Sequence, residues 1–371
     1  MTGPRRALLV AACLPLLLRS IALAQEKPAP AFKVGVTYCG FTPKEPYNWG
    51  GATTHALRTA IRYPAEANAA EQPIVMGPAS SQIFIIGNAA QDARLAASPA
   101  KLPLIVLSHG TGGSALSLGW LGTALASHGY IVAAVKHPGN NGVEAYTVQG
   151  FSTWWERARD LNVVIDNLLT DATLGSHIDN ERIGAAGFSL GGYTMIEIAG
   201  GITAPAAFNE FCASPRADGI CKSPPEFPTL VEDFDKLSKD DADFQATLRH
   251  ASDSYRDPRI HAVLAMAPAL GPAFRAANLA KISFPAEIVA GEADTNVPVA
   301  SSAKYFAANI RGSKPVIYPG AVGHFVFLDS CPEFGRKNRP MLCVDAAGVD
   351  REVIHAKTAD LAVEFFNANL N

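Results

Sequence analysis

The sequence predicts an α/β fold with a mostly parallel central sheet, helices on both faces and a lid-like insertion. Residues 104–107 form a continuous apolar run, which is typical of a strand buried on both faces of a parallel sheet. Residues 155–169 follow with an apolar stripe at helical spacing. Residues 183–186 form another apolar run before a glycine-rich turn. This alternation of strands and helices indicates right-handed crossovers within one sheet.

The other predicted elements follow the same order along the chain. Strands at 32–38, 57–63 and 83–86 are expected to form an antiparallel start to the sheet. The alternation of strands and helices is interrupted at residues 202–258, which hold two cysteines and several prolines. These residues are predicted to form a lid over the carboxyl ends of the strands. Residues 25–371 are therefore predicted to form one domain that contains this insertion. The remaining predicted elements are a helix at 116–127, strands at 130–135, 261–266, 286–290 and 315–318, and a closing helix at 353–367.

The first residues indicate a secretory signal peptide. Arg5 and Arg6 precede a short apolar run, and small residues end at Ala24. A membrane anchor is disfavoured because the run is too short to span and Arg19 interrupts it. A lipoprotein-type processing site at Cys13 ranks second. We expect cleavage near Ala24 and a secreted or periplasmic protein.

Composition narrows the class of partner. The chain has 371 residues, of which 48% are hydrophobic and 18% charged, so it can bury a large core. Removing residues 1–24 takes away three arginines and no acids, so 28 basic against 34 acidic residues leave a net charge of −6. No basic cluster is present, so nucleic acid is not expected as a partner. We expect a small-molecule or lipid ester substrate; transient contact with a lipid surface stays open, and the oligomeric state is not predicted.

The cysteines indicate disulfides rather than a metal site. Cys212 lies near Cys221, and Cys331 lies near Cys343, so each pair could close a small loop in an oxidising compartment. Cys39 is then left over. No clustered His/Cys spacing is present, so we expect no metal and no other cofactor.

The glycine-rich turn carries the main functional signal. Gly187-x-Ser189-x-Gly191 matches the nucleophile-elbow pattern, in which a tight strand-to-helix turn exposes the central hydroxyl. A side chain at either flanking position would meet the backbone. We therefore predict that Ser189 is a nucleophile.

A serine nucleophile needs a base and a group that orients the base. The α/β-hydrolase order of serine, acid and histidine is met by Asp294 and His324, each in a loop after a predicted strand. Glu292 is the rival acid, one or two residues early for the loop tip. His355 is the rival histidine, and we expect it at the surface of the last helix.

An oxyanion hole needs two N–H donors beside the nucleophile. We predict the backbone N–H of Leu190, directly after Ser189, as one donor. The glycine-rich residues 109–113 follow another predicted strand, and Thr111 within them is the predicted second donor. A phosphate-binding loop is disfavoured because the spacing of these glycines does not match one.

These motifs together resemble the platelet-activating-factor acetylhydrolase and dienelactone-hydrolase-like group of α/β-hydrolases. The resemblance covers about residues 55–330 and rests on the segments 108–113, 125–135, 155–160, 182–184, 187–192 and 323–325. It implies a secreted ester hydrolase without metal or cofactor, and it also points to Thr111 as the second donor. Phe188 departs from the histidine common in the group, and Ser189 departs from the cysteine of true dienelactone hydrolases. Trp155, Arg157 and Asp160 match the group's helix; we expect packing and a surface or partly buried ion pair there.

The sequence thus predicts a secreted serine hydrolase that cleaves short-chain or lipid acyl esters through a Ser189–His324–Asp294 triad and an acyl-enzyme. One alternative is an interfacial lipase or polyester hydrolase. The other is a non-catalytic ligand-binding protein on a hydrolase scaffold, which the intact serine, acid and histidine disfavour.

Overall fold

A computed structural model describes residue 3 and residues 32–370. The predicted signal peptide, its cleavage site and Cys13 therefore lie outside the described residues. Ten strands form one sheet in the order β10-β9-β8-β7-β5-β6-β2-β1-β4-β3. The strands are β1 (Lys33–Phe41), β2 (Leu57–Ala65), β3 (Gln72–Met76), β4 (Phe84–Gln91), β5 (Leu102–Ser108), β6 (Ile131–Val135), β7 (Ile178–Phe188), β8 (Ile260–Met266), β9 (Ala286–Gly291) and β10 (Pro315–Tyr318). The predicted α/β fold with a mostly parallel sheet is confirmed.

Helices connect and cover these strands. They are α1 (Gly119–Ser127), α2 (Val148–Ser152), α3 (Glu156–Leu169), α4 (Leu190–Ile198), α5 (Pro205–Cys212), α6 (Leu230–Asp240), α7 (Ala242–Arg249), α8 (Ala276–Leu279), α9 (Ala303–Asn309), α10 (Glu333–Asn338), α11 (Pro340–Cys343) and α12 (Arg351–Asn369). In the part of the chain that the structure describes, none of them is long and apolar enough to cross a membrane.

Six neighbouring strands, β10 to β6 in the sheet order, run parallel. Ser108 at the end of β5 pairs with Val135 of β6 on one side and with Gly187 of β7 on the other. The carboxyl ends of these strands therefore meet at one edge of the sheet, which is where ligands bind in open α/β sheets.

The first four strands extend the sheet beyond β6. β1 and β2 pair antiparallel, and β2 pairs antiparallel with β6, as expected for the start of the chain. The expectation is wrong for the third predicted strand, because β4 pairs parallel with β1 and antiparallel only with β3. β3 was not predicted: its residues are exposed or half-exposed, and it is the edge strand of the sheet, paired only with β4. β4 continues to Gln91, well past the predicted end at residue 86.

Helices cover both faces of the sheet. On one face, α1 and α12 bury apolar side chains such as Leu121, Leu125 and Phe366. On the other face, α3, α4 and α9 bury Leu161, Tyr193, Phe306 and their neighbours. This two-sided burial explains why the central strands read as continuous apolar runs.

The segment 202–258 lies between α4 and β8 and contains α5, α6 and α7. A Cys212–Cys221 disulfide closes the loop after α5. A second disulfide joins Cys331 to Cys343 near α10 and α11, and Cys39 is a free thiol. α6 and α7 are separate helices, because Asp241 between them leaves the helical conformation and its side chain accepts from the Phe244 N–H to cap α7.

A buried acid lies at the end of α4. Glu197 is fully buried, and its Oε1 accepts hydrogen bonds from the hydroxyls of Tyr193 (2.7 Å) and Thr203. Its Oε2 has no partner among the described residues. Burial raises the pKa of Glu197 to about 7, although both hydroxyl groups oppose the shift. The carboxyl group is therefore protonated in the folded protein at mildly acidic pH.

This raised pKa predicts a loss of stability with rising pH. Between the ordinary pKa of glutamate and about pH 7, the Glu197 carboxyl binds a proton in the folded state but not in the unfolded state. The contribution of this proton to folding stability is therefore complete below that window and is lost as the pH rises through 7. Glu197→Gln should remove a decline of about 3 kcal/mol in the free energy of unfolding across the window. Chemical denaturation at a series of pH values measures this.

Asp329 is also buried, with a pKa raised to about 7, and contributes its own decline in stability to the wild type and the variant alike. The effect of Glu197 is therefore the difference between the two curves of unfolding free energy against pH. Glu364→Gln, at an exposed position of α12, is the matched control and should leave the wild-type decline intact. An undiminished decline in Glu197→Gln would contradict the assignment.

Candidate active site

Ser189 lies in a strained turn between β7 and α4. Its dihedral angles are φ 57° and ψ −116°, a conformation that non-glycine residues rarely adopt. The turn is held on both sides: the Ser189 N–H donates to Met266 O (2.9 Å), and the Ser189 carbonyl accepts from Tyr193 (3.1 Å) and Ala269 (3.0 Å). The side chain is thereby directed out of the strand end, as the elbow pattern predicts.

The flanking glycines are required by contact with backbone. A Cβ at Gly187 would lie 2.3 Å from the carbonyl oxygen of Gly191. A Cβ at Gly191 would lie 2.0 Å from the carbonyl oxygen of Ser108, at the end of the neighbouring strand. Neither position can accept a side chain without moving β5, β7 or α4.

The structure brings His324 and Asp294 to Ser189. His324 Nε2 lies 3.0 Å from Ser189 Oγ, and His324 Nδ1 lies 2.6 Å from Asp294 Oδ2. All three residues are buried. Glu292, the rival acid, accepts instead from the Gly320 N–H (2.7 Å) and is exposed.

The tautomer of His324 follows from its partners. Asp294 Oδ1 accepts from the N–H groups of Asn296 (3.0 Å) and Val297 (2.7 Å), which hold the carboxylate in place. A carboxylate only accepts, so Nδ1 of His324 carries the proton and Nε2 presents a lone pair to Ser189. The Phe188 ring, 4.8 Å from the imidazole centroid, packs against it and limits its rotation.

The predicted oxyanion donors lie on either side of Ser189. The loop 109–113 approaches it so closely that a Cβ at Gly110 would be 3.1 Å from the Ser189 Cβ. Asn140 Oδ1 accepts from the Gly112 N–H (3.0 Å) and braces this loop. The backbone N–H groups of Thr111 and Leu190 have no hydrogen-bond partner within residues 32–370, so both are available to a ligand.

One cavity of about 1130 Å³ contains this group. Thr111, Ser189, Leu190 and His324 all line it, whereas Asp294 lies behind His324. The segment 202–258 forms much of one wall. Its contribution includes Pro205, Phe208, Asn209, both half-cystines of the Cys212–Cys221 disulfide, Glu226, Leu230, Val231, Phe234 and Asp235. The remaining wall is rich in aromatic side chains, including Tyr146, Phe151, Trp154 and Trp155.

The described residues contain no group of three or more His, Cys, Asp or Glu side chains that could hold a metal ion. The polar lining of the cavity includes the charged side chains of Lys222, Glu226 and Asp235, besides hydroxyl groups, backbone N–H groups and the imidazole of His324.

Two expectations about individual residues are wrong. Arg157 and Asp160 are both fully buried and do not pair with each other: Asp160 contacts His137 (2.5 Å), and Arg157 donates to the His109 carbonyl. The available signal was that both charges lie on the apolar stripe of α3. His355 is buried rather than exposed, since α12 packs it on Trp120 (ring centroids 4.2 Å).

Comparisons with known proteins agree with this fold. Residues 85–159 match the family model of platelet-activating factor acetylhydrolase, isoform II. Lipase 1 of Moraxella sp. (strain TA144) is 35% identical over 83 residues, which are 22% of this chain and 23% of the lipase. Cutinase est1 of Thermobifida alba is 34% identical over 97 residues, which are 26% of this chain and 29% of the cutinase. The chain thus matches less than a third of the length of either relative.

A similar solved structure covers nearly the whole chain. The ferulic acid esterase from Streptomyces cinnamoneus superposes with a TM-score of 0.61 at 22% identity, over 93% of this chain and 92% of that one. At this identity the likeness concerns the fold. The chain has the α/β-hydrolase fold, and its residues 85–159 are similar to the platelet-activating factor acetylhydrolase family.

Proposed function

We propose that the protein is a serine hydrolase that cleaves carboxylic esters, with Ser189 as nucleophile, His324 as general base and acid, and Asp294 as the orienting carboxylate. The observation that carries the proposal is the hydrogen-bonded chain from Ser189 through His324 to Asp294, opening into the large cavity. The similarity to proteins named lipase, cutinase and esterase supports it.

The geometry supports a two-step mechanism. Ser189 Oγ attacks the ester carbonyl carbon while its proton passes to the Nε2 lone pair of His324. The imidazolium that forms is stabilised by Asp294 at 2.6 Å from Nδ1. The C–O bond to the alcohol then breaks, and the alcohol leaves with the proton from Nε2. Water, deprotonated by the same nitrogen, attacks the acyl-enzyme and releases the acid and Ser189.

The oxyanion of each tetrahedral intermediate is assigned to the N–H groups of Thr111 and Leu190. Both lie at the cavity beside Ser189 and have no other hydrogen-bond partner within residues 32–370. Leu190 is also the first residue of α4, so the partial positive charge of a helix N-terminus adds to its N–H.

We propose further that residues 202–258 act as a lid and that the protein is secreted or periplasmic after cleavage near Ala24. The lid role is supported by the helices of this segment that wall the cavity. Secretion is supported by the two disulfides, which form and persist in oxidising compartments. The substrate is proposed to be a small-molecule or lipid ester, with no nucleic acid as partner and no cofactor.

A second candidate, an enzyme that works at the surface of aggregated or polymeric esters, has its own supporting observation. Val143, Val231 and Met341 line the cavity and yet are 68%, 56% and 60% exposed. An apolar rim of this kind can contact an apolar substrate surface beside the cavity mouth.

The triad assignment predicts where a covalent probe reacts. A fluorophosphonate should modify the wild type at Ser189, and Ser189→Ala should abolish this labelling. The same variant should lower the turnover of p-nitrophenyl acetate by at least about 10⁴-fold, because the nucleophile is lost. Mass spectrometry of the labelled peptide and steady-state rates measure the two effects.

The control is Ser98→Ala, an exposed serine whose hydroxyl donates to the Ala100 carbonyl and accepts from the Ala100 N–H, and it should keep both labelling and rate. Retention of the rate in Ser189→Ala, or labelling of the wild type at another serine, would overturn the assignment.

The apolar rim predicts a substrate-dependent effect. Val231→Asp and Met341→Asp should each slow hydrolysis of a long-chain ester in micelles by about tenfold, since each removes roughly 1–2 kcal/mol of apolar contact. Both should leave p-nitrophenyl acetate turnover within about twofold. Rates measured below and above the critical micelle concentration separate the two cases.

Val353→Asp, at an exposed apolar position on α12 away from the cavity, is the matched control and should change neither rate. Equal loss on soluble and micellar esters in the rim variants would argue for a soluble substrate and against the second candidate.

A further inference from the structure

A second serine–histidine–aspartate chain lies beneath the active-site cavity. Ser108 Oγ is 2.9 Å from His137 Nε2, and His137 Nδ1 is 2.5 Å from Asp160 Oδ2. Arg157 extends the chain, with Nη2 3.4 Å from Ser108 Oγ. All four residues are buried, and none of them is among the described residues that line the cavity. Ser108 is therefore inaccessible to an ester, and a nucleophilic role is excluded.

Arg157 fixes the direction of one of these hydrogen bonds. A guanidinium group only donates, so Ser108 Oγ accepts from Arg157. The contacts of His137 Nε2 with Ser108 Oγ and of His137 Nδ1 with Asp160 Oδ2 join the imidazole ring to the same chain. Burial, together with the positive charge of Arg157, holds the pKa of His137 well below its usual value, which agrees with a neutral ring.

Arg157 contacts both elements that carry the proposed oxyanion donors. Its Nη2 donates to the His109 carbonyl, two residues before Thr111. Its Nε donates to Thr194 Oγ1 (3.3 Å), and that hydroxyl donates to the Leu190 carbonyl (3.0 Å). One buried side chain thus links the loop 109–113 to the first turn of α4.

The loop 109–113 is fixed at a second point by the same cluster. The His137 N–H donates to His109 Nε2 (3.2 Å), so His109 carries its proton on Nδ1 and donates it to the Gly110 carbonyl (2.6 Å). Burial and the charge of Arg157 lower the pKa of His109 to about 3, so this ring stays neutral at all working pH values.

The cluster retains a positive charge close to the proposed oxyanion hole. Burial lowers the pKa of Arg157 to about 9, so the guanidinium remains protonated at neutral pH. A buried charge is costly unless hydrogen bonds stabilise it, and Arg157 donates to the His109 carbonyl, Ser108 Oγ and Thr194 Oγ1. Burial raises the pKa of the Asp160 carboxyl well above its usual value, which favours its neutral form. A buried arginine is thus kept where it donates to backbone and hydroxyl oxygens rather than to a carboxylate.

We propose that Arg157, oriented through Ser108, His137 and Asp160, is a positioning residue that holds the Thr111 and Leu190 N–H groups in register with Ser189. This inference rests on the proposed ester-hydrolase function. It requires that loss of Arg157 weaken binding of the charged tetrahedral state more than binding of the substrate.

The test compares Arg157→Lys and Asp160→Asn with the wild-type full chain, after titration of active sites with a fluorophosphonate. Because small displacements of binding groups can cost on the order of 10²-fold in rate, Arg157→Lys should lower kcat by about that factor with KM within about twofold. Its affinity for a trifluoromethyl ketone, which forms a charged adduct with Ser189, should fall by a similar factor. Its affinity for the corresponding methyl ketone should not change. Asp160→Asn should act in the same direction, by about tenfold or more.

The matched control lies on an exposed part of the same helix. Asp166→Asn removes a surface ion pair with Arg259 and should stay within about twofold of wild type in kcat and in affinity for both ketones.

Hydrogen exchange gives a readout that does not depend on activity. Arg157→Lys should raise exchange at residues 109–113 and at the first turn of α4 together. If the wild type neither labels at Ser189 nor turns over esters, the proposed function is overturned. Faster exchange in Arg157→Lys would in that case still support the positioning role of Arg157. Unchanged exchange in Arg157→Lys would overturn the positioning role of Arg157. A kcat per labelled site equal to that of wild type in both variants would also overturn it. If Arg157→Lys does not fold, Asp160→Asn decides by the same criteria.

Discussion

The rest of the site depends on one close approach, between the turn at Ser189 and the end of β5. Gly191 packs on the Ser108 carbonyl so tightly that a Cβ would lie 2.0 Å from it. The same approach sets the loop 109–113 against Ser189, because that loop begins where β5 ends. A single backbone contact therefore fixes both the position of the proposed nucleophile and that of the loop with the proposed donor Thr111.

This arrangement concentrates backbone strain around the cavity. Of the five non-glycine residues with positive φ among those described, four (Leu118, Ser189, Ala267 and Leu270) lie at or beside the cavity. Such conformations cost about 1–3 kcal/mol each and persist only where the surroundings enforce them. The enforcing contacts are visible at Leu118, whose N–H donates to Asp329 (3.1 Å). Asp329 follows the turn that begins with His324, so the strained loop after β5 and the histidine loop are tied together.

Sequence reasoning succeeded where a local pattern carries the structural information. The apolar runs of β5, β7 and β8 require burial on both sides, so the parallel sheet was predictable, and the elbow glycines mark a turn that no other residues allow. β3 was missed because its five residues begin with Gln72 and Pro73, show no alternation of apolar and polar side chains, and pair only with β4 at the edge of the sheet. The shape of the cavity could not be predicted, since the packing of residues 202–258 is set by long-range contacts. Arg157 and Asp160 could have been recognised as buried, because charges on the apolar stripe of α3 need buried partners.

The two Ser–His–Asp chains show why such a pattern alone does not define an active site. Their hydrogen-bond distances are similar, at 3.0 and 2.6 Å for Ser189 and 2.9 and 2.5 Å for Ser108. Ser108, however, ends a regular strand, its Oγ accepts from Arg157, and it is not among the residues that line the cavity beside Ser189. Ser189 has no such donor among the described residues, lies in a strained turn and faces a cavity with two unpartnered N–H groups nearby. Nucleophilic chemistry requires a free lone pair and room for the carbonyl carbon, and only the surroundings of Ser189 provide both.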